Sequence, residues 1–285
     1  MLSALASRIP ACSSCTGLLF LKSHRQASAA AKADSVARLC LLASEIRESR
    51  NLAPISVQDL WKKENYEMQS AYLKPNGTSR GFCNWLVRNS MIIGRYPCCD
   101  PTGRPTLIEA RSHMRFLVEN DVTTYVCLQA ELPPQTGVWP ADGVKLEGMG
   151  FTNNFVNYAS IAAEEAMSLE RPTPIFLHFP IKDMNVPSWE LLVQILDSLL
   201  VRLRDDGCLY IHCWGGMGRA GLVGACMLSL LQPELGPEEI LICTQAAYDS
   251  RSGSSGARSP QTWMQRALVR DFSLHVLEVA SESGN

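Results

Sequence analysis

The feature that most constrains this chain is a change of pattern inside one short stretch. Leu209-Tyr210-Ile211 is apolar, positions 215, 216 and 218 are glycine, and Leu222 to Leu231 is almost continuously apolar. A brief apolar run that ends in glycines reads as a strand, and the longer run after it as a buried helix. Strand, tight loop and helix in that order commit the segment to a βα unit with the loop at the helix N-terminus. His212, Cys213 and Arg219 fall in or beside that loop.

The rest of the chain extends this pattern. Ser90 to Ile93, Val122 to Leu128 and Ile175 to Phe179 read as strands, and Leu107 to Glu119 as a helix. Ser188 is placed to cap a helix reaching Arg204, after which Asp205-Asp206-Gly207 turns the chain into the strand Leu209 to His212. Helices are predicted from Gly236 to Ser250 and from Pro260 to Val279, joined by a flexible polar linker, Ser252 to Ser259. Nearer the start, Ser56 to Glu67 reads as a Ser56-capped helix followed by an Asn76-Gly77 turn, and Pro133 to Gly150 reads as a long loop. Strands alternating with helices predict an α/β fold with a central, mostly parallel sheet flanked by helices on both faces. The glycine loop would then open at the carboxyl edge of the sheet, where ligands bind in such folds.

Each residue type in the loop has a physical task. A free thiol has a pKa of about 8.5 and is a poor nucleophile until its thiolate is stabilised. The unpaired amides and dipole at a helix N-terminus favour both a thiolate at Cys213 and a bound oxyanion. Gly215, Gly216 and Gly218 let the backbone of Trp214 to Arg219 curl so that its amides can cradle phosphate. Arg219 supplies a planar fork for two oxygens. His212 is expected to orient the loop and to help depress the thiol pKa.

The run Tyr210 to Arg219 resembles the active-site loop of the cysteine-dependent protein-tyrosine and dual-specificity phosphatases, with its His-Cys-x5-Arg signature. His178-Phe179-Pro180-Ile181-Lys182-Asp183-Met184-Asn185-Val186-Pro187 resembles the loop carrying the general acid of that family. The interval of 30 residues from Asp183 to Cys213 suits its dual-specificity type. Gln129-Ala130-Glu131 is similar to an acidic segment that braces the arginine, and Ser259 to Gln265 to a glutamine-bearing one. The likeness spans Gly81 to Ala280. It implies a dual-specificity phosphatase-like fold and a phosphoprotein phosphatase acting on phosphotyrosine and phosphoserine or phosphothreonine through a phosphocysteine. In it Cys213 is nucleophile, Asp183 general acid, Arg219 phosphate ligand, Glu131 brace, and Gln265, or else Gln261, positions water. No metal and no cofactor is implied.

One departure bears on turnover: the family has Ser or Thr after the arginine, and this chain has Ala220. Two other readings follow. Gly-Met-Gly-Arg-Ala also resembles plant glucan phosphatases, which would make the substrate a phosphoglucan stacked on Trp139, Trp189 or Trp214. A module that binds phosphate without turning it over is the other, suggested by Ala220 alone. Rhodanese-like and low-molecular-weight thiol phosphatase families fit less well, the first by loop length and the second by the late position of Cys213.

Composition narrows the setting. A net charge of -2 over 285 residues gives no sign of a nucleic-acid partner, and no stretch is long and apolar enough to span a bilayer. A nucleophilic thiol among 11 cysteines suits a reducing compartment. The first 33 residues contain no acidic residue but carry Arg8, Lys22, Arg25 and Lys32. They fit a mitochondrial or plastid transit peptide; the other reading is a disordered N-terminus of a cytoplasmic protein. The chain therefore divides into a leader or disordered region at 1–45, a helical linker at 46–80, a catalytic domain at 81–280 and a tail at 281–285. Oligomeric state has no signature in the sequence.

Overall fold

Alternation along the strands decides which helices they bind. In the strand β9 (Leu209–His212), Leu209 and Ile211 belong to one apolar cluster and Tyr210 to another. The neighbouring strand β5 (Thr124–Gln129) repeats this, with Val126 and Leu128 on the first side and Tyr125 on the second. A period of two presents each face of the sheet to its own core. This computed structural model describes residues 14–68, 71–73, 79–98, 107–148, 151–205, 207–251 and 256–283. The Asn76-Gly77 turn, Asp206 and the first half of the polar linker lie outside them.

The central sheet contains β3 (Cys83–Val87), β4 (Met91–Gly94), β9, β5 and β8 (Ile175–Ile181), in that order. Its last three pairings are parallel and only β3 with β4 is antiparallel. One face is covered by α1 (Ser14–Ser49), α4 (Trp189–Arg204), α5 (Arg219–Leu231), α6 (Pro237–Asp249) and α7 (Trp263–Ser283). The other is covered by α2 (Leu107–Glu119) and α3 (Ala159–Ser168). Two small hairpins, β1 (Ala71–Leu73) with β2 (Ser79–Gly81) and β6 (Val144–Gly148) with β7 (Phe151–Phe155), stand apart from it. The predicted mostly parallel, two-faced α/β architecture is thus present.

Every residue of α5 is buried, so this helix is the hub of the larger core. It reaches the sheet closely at Gly224, where a Cβ would lie 2.9 Å from Leu86 and 3.1 Å from Ile93. Each fully buried aliphatic side chain contributes about 2 kcal/mol, which anchors the first turn of α5, and Arg219 with it.

Three local expectations change. Ser56 does accept a hydrogen bond from the Gln58 amide, but the predicted helix is two 3-10 turns, Val57–Asp59 and Lys63–Asn65. The break is fixed by Tyr66, whose hydroxyl donates to the Leu60 carbonyl at 3.0 Å. Part of the predicted loop Pro133 to Gly150 is strand β6, paired antiparallel with β7. The boundary expected at residue 45 falls inside α1, where Val36, Leu39, Ala43 and Ile46 are fully buried against α4, α5 and α7.

Candidate active site

The loop after β9 is held by its carbonyls. Trp214 O accepts from the Tyr96 amide at 3.1 Å, Met217 O from Ser259 Oγ at 3.0 Å, and Gly218 O from the Leu222 amide at 2.9 Å. In a trans peptide the carbonyl and the following N–H point in opposite directions. The amides of Gly215, Gly218 and Arg219 are therefore turned away from the supporting backbone. Gly216 has φ +69° and sits on Gly94, whose carbonyl a Cβ would strike, so only glycine fits there. Cys213 follows β9 directly, with 3 % of its surface exposed.

Arg219 opens α5 at 1 % exposure and is the largest fully buried side chain among the described residues. Glu131 grips it in a fork, Nη1 to Oε2 at 2.7 Å and Nη2 to Oε1 at 2.8 Å, while Nη1 also donates to the Ile181 carbonyl at 3.0 Å. Burial works against the Glu131 carboxylate, but the guanidinium outweighs it and holds its pKa below the usual range. The same partner keeps Arg219 charged in spite of its own burial. The Glu131 position, just past the end of β5, is the one that the resemblance implied.

His212 is fully buried, its Nε2 2.6 Å from the Tyr158 hydroxyl. Its ring stacks on Tyr210 and meets Tyr96 and Tyr158 edge-on. Burial, with His178 nearby, pushes its pKa down to about 3. The imidazole is therefore neutral near pH 7 and brings no positive charge to the thiol. Packing and the Tyr158 contact are what it contributes.

Asp183 lies on the turn after β8, with its carboxylate Oδ1 3.0 Å from Arg219 Nη2. The next residue, Met184, has φ +59°, a left-handed conformation that costs a side-chain-bearing residue on the order of 1 kcal/mol. The turn is closed by the Asn185 amide on the Lys182 carbonyl at 3.1 Å. Gln265, fully buried, ties this turn to α7. Its Nε2 donates to Asn185 O at 3.1 Å, and its Oε1 accepts from the Gln261 and Thr262 amides at 3.1 and 3.0 Å. Gln261 is less committed, and its Oε1 lies 3.2 Å from where a Gly218 Cβ would be.

Cys213, Arg219, Asp183, Glu131, Gln261 and Gln265 thus gather around one loop. Trp214 is half-buried with its ring edge-on to Phe155 at 5.3 Å, and Met217 is partly exposed. Tyr96, Tyr158, Asn185 and Ser259 were not singled out from the sequence. Asn185 and Ser259 fall inside the two family-like segments without a role of their own, and the partners that give these four their use are distant in the chain. A cavity of about 630 Å³ between Arg50, Tyr66, Arg88 and Gln232 lies beyond the opposite, amino end of β4 and includes no loop residue.

Comparison with known proteins places this geometry. Residues 81–259 match the family described as Swiss Army Knife protein, DSP-PTPase phosphatase domain. Cyclin-dependent kinase inhibitor 3 of Homo sapiens is 33% identical over 95 residues, which is 33% of this chain and 42% of that protein. The chain thus spans less than half the length of that relative. Among solved structures, kinase associated phosphatase with its catalytic-site cysteine changed to serine aligns with a TM-score of 0.44 at 20% identity. That alignment covers 65% of this chain and 86% of the other. Tk-PTP aligns with a TM-score of 0.42 at 18% identity, over 72% and 97% of the two chains. The family match covers more than half of the 285 residues, and the chain belongs to the DSP-PTPase phosphatase family, a family of cysteine-dependent phosphatases.

Proposed function

We propose that the protein hydrolyses phosphate esters on protein substrates, phosphotyrosine first and phosphoserine or phosphothreonine as well, through a phosphocysteine. The observation that carries this is Arg219, a guanidinium 1 % exposed and locked by Glu131, six positions after a thiol on a loop whose carbonyls face backward. A site preorganised for an oxyanion in this way needs little rearrangement when charge develops.

In the first step Cys213 Sγ attacks phosphorus in line. An S–P bond forms, the P–O bond to the leaving group breaks, and Asp183 passes its proton to the departing oxygen. Loop amides from Trp214 to Arg219 and the Arg219 fork hold the three equatorial oxygens. The Asp183–Arg219 contact at 3.0 Å opens as a phosphoryl oxygen takes its place on the guanidinium. In the second step Asp183 removes a proton from water, the water oxygen attacks phosphorus, the S–P bond breaks, and inorganic phosphate leaves. Gln261 is the better placed of the two glutamines to hold that water, because the Gln265 amide is spent on backbone.

Ala220, fully buried after the arginine, offers no hydroxyl to the departing sulfur, so the second step is the slower one. Rapid mixing with an aryl phosphate is expected to show a burst, and Ala220→Ser to shorten it and raise the steady rate. A linear time course would refute slow dephosphorylation. Phosphoglucan is the less favoured substrate. Trp189, one candidate sugar platform, is covered by Lys32 at 4.3 Å and packed on Phe272 and His275.

The deciding experiment is a panel of phosphotyrosyl, phosphoseryl and phosphothreonyl peptides and soluble phosphoglucan, assayed with the full chain and with Cys213→Ser. Hydrolysis of the peptides by wild type alone is expected. Release of phosphate only from glucan would overturn the substrate class. The N-terminal leader is proposed as well, confined to the acid-free stretch ahead of Val36, because α1 is core from there on. A reporter fused to residues 1–35 should enter mitochondria or plastids; diffuse cytoplasmic signal would exclude this.

A further inference from the structure

The loop carrying Cys213 and Arg219 rests on a second buried cation. Arg251 lies just past Ser250, the C-cap of α6, and is 4% exposed. Its Nε donates to Asn84 Oδ1 at 2.6 Å and its Nη2 to Ile93 O at 3.1 Å and Gly216 O at 3.0 Å, while Nη1 reaches Gly215 O at 3.4 Å. The Tyr248 ring lies 4.9 Å from the guanidinium carbon. Among the described residues the charged and polar side chains acting on it are Cys83, Tyr248, Tyr210, Arg95 and Asn84, with no carboxylate. Burying a guanidinium is costly, and an apolar residue would serve better were it only filling space.

Its contacts give it a use. Gly215 O shares a peptide plane with the Gly216 amide, and Gly216 O with the Met217 amide. Pulling both carbonyls onto one guanidinium turns those two amides the opposite way. Tyr96 and Ser259 do the same for the amides of Gly215 and Gly218, through the Trp214 and Met217 carbonyls. Arg251 thus completes a row of consecutive peptide planes held from behind. It takes the central pair, where Gly216 at φ +69° makes the backbone most free to flip. A planar fork does this with fixed geometry, which a lysine would not.

We infer that Arg251 is a positioning residue for the oxyanion site: it orients the Gly216 and Met217 amides toward the phosphoryl oxygens. The inference rests on the phosphatase reading of that loop, and its test separates the two. Tungstate, an unreactive oxyanion, is titrated calorimetrically into the full chain as wild type, Arg251→Met, Arg251→Lys, Asn84→Ala and Thr244→Val. Thr244 is a buried α6 residue that bonds only its own helix, at Ile240 O, and serves as a control for destabilisation. Arg251→Met is expected to bind at least about tenfold more weakly, as for loss of charge-assisted hydrogen bonds. Arg251→Lys should recover part of this, Asn84→Ala should lose roughly threefold for one bond, and Thr244→Val should match wild type. kcat/KM should fall in step with tungstate affinity. A folded Arg251→Met that binds tungstate like wild type overturns the inference and leaves the phosphatase reading intact. If Arg251→Met fails to fold, unchanged binding by Asn84→Ala overturns it. A wild-type chain that binds no tungstate removes both.

Discussion

At the scale of single residues, the site is a balance of charges that only makes sense as a set. Glu131 exists in its ionised form because Arg219 is beside it, and Arg219 tolerates burial because Glu131 is. Glu131→Gln takes the bidentate carboxylate from a guanidinium that is 1 % exposed, leaving only the exposed Asp183 carboxylate at 3.0 Å, and is expected to cost about 3 kcal/mol in chemical denaturation. The depressed Glu131 pKa adds stability above the ordinary carboxylate range, about 4.3, and that stability is lost as pH falls further toward the folded value. The variant should lack this acid-limb loss. His212 acts in a higher window. Its folded pKa of about 3 lies below the unfolded value of about 6.5, so the unfolded chain binds a proton first and stability drops as pH falls between them. The expected slope from this group is about 1.4 kcal/mol per pH unit. His212→Gln should flatten it in denaturation curves between pH 5 and 6.5 (about the unfolded value); an unchanged slope would mean that the imidazole is protonated in the fold. Asp183→Asn should lower kcat/KM, which reports the first step, by roughly a hundredfold or more for alkyl phosphate esters and far less for an ester of an acidic phenol, whose oxygen leaves without a proton. Equal losses for both would take the general-acid role from Asp183.

At the scale of elements, the turn after β8 connects three of these residues. Gln265 bonds Asn185, two positions after Asp183, and the α7 N-terminus, so the acid turn and the glutamine segment are expected to move together. Gln265→Ala should raise the mobility of residues 183–185 in amide exchange and lower kcat through Asp183 placement, with thiol reactivity of Cys213 unchanged. What was legible beforehand follows from how local each signal is. Leu107 to Glu119 and the Ser188-capped helix to Arg204 were read to the residue, because periodicity and capping act within a turn or two. The βα unit around Cys213 was legible for the same reason and Arg219 with it, while Glu131 became so through family likeness. The β6–β7 hairpin was not. Its strand Val144–Gly148 alternates Val144 and Leu146 with Lys145 and Glu147, but over only four residues inside a Pro- and Gly-rich stretch, too short a pattern to stand out from a loop. Arg251 was invisible because all four of its acceptors lie 35 or more positions away in the chain. Support of the loop from behind is a tertiary property, and no spacing rule records it.

At the scale of the molecule, α1 joins the N-terminal region to the catalytic core. Val36, Leu39, Ala43 and Ile46 fall on one stripe at helical spacing and are fully buried beneath α4, α5 and α7. Leu39→Ala is expected to lower stability by about 3 kcal/mol while kcat of the folded fraction stays the same. A chain starting at residue 46 should aggregate or melt early, since α5, which carries Arg219, would lose part of its cover. The whole arrangement has one chemical purpose in this reading: the phosphoryl group rests on Cys213 Sγ between two half-reactions. Acid quenching during turnover of an aryl phosphate, followed by mass spectrometry of the peptide containing residues 210–219, measures this directly. A phosphoryl group on Cys213 in wild type, absent in Cys213→Ser together with all turnover, is the expected result. Wild-type turnover by Cys213→Ser, or phosphate found on another side chain, would contradict it.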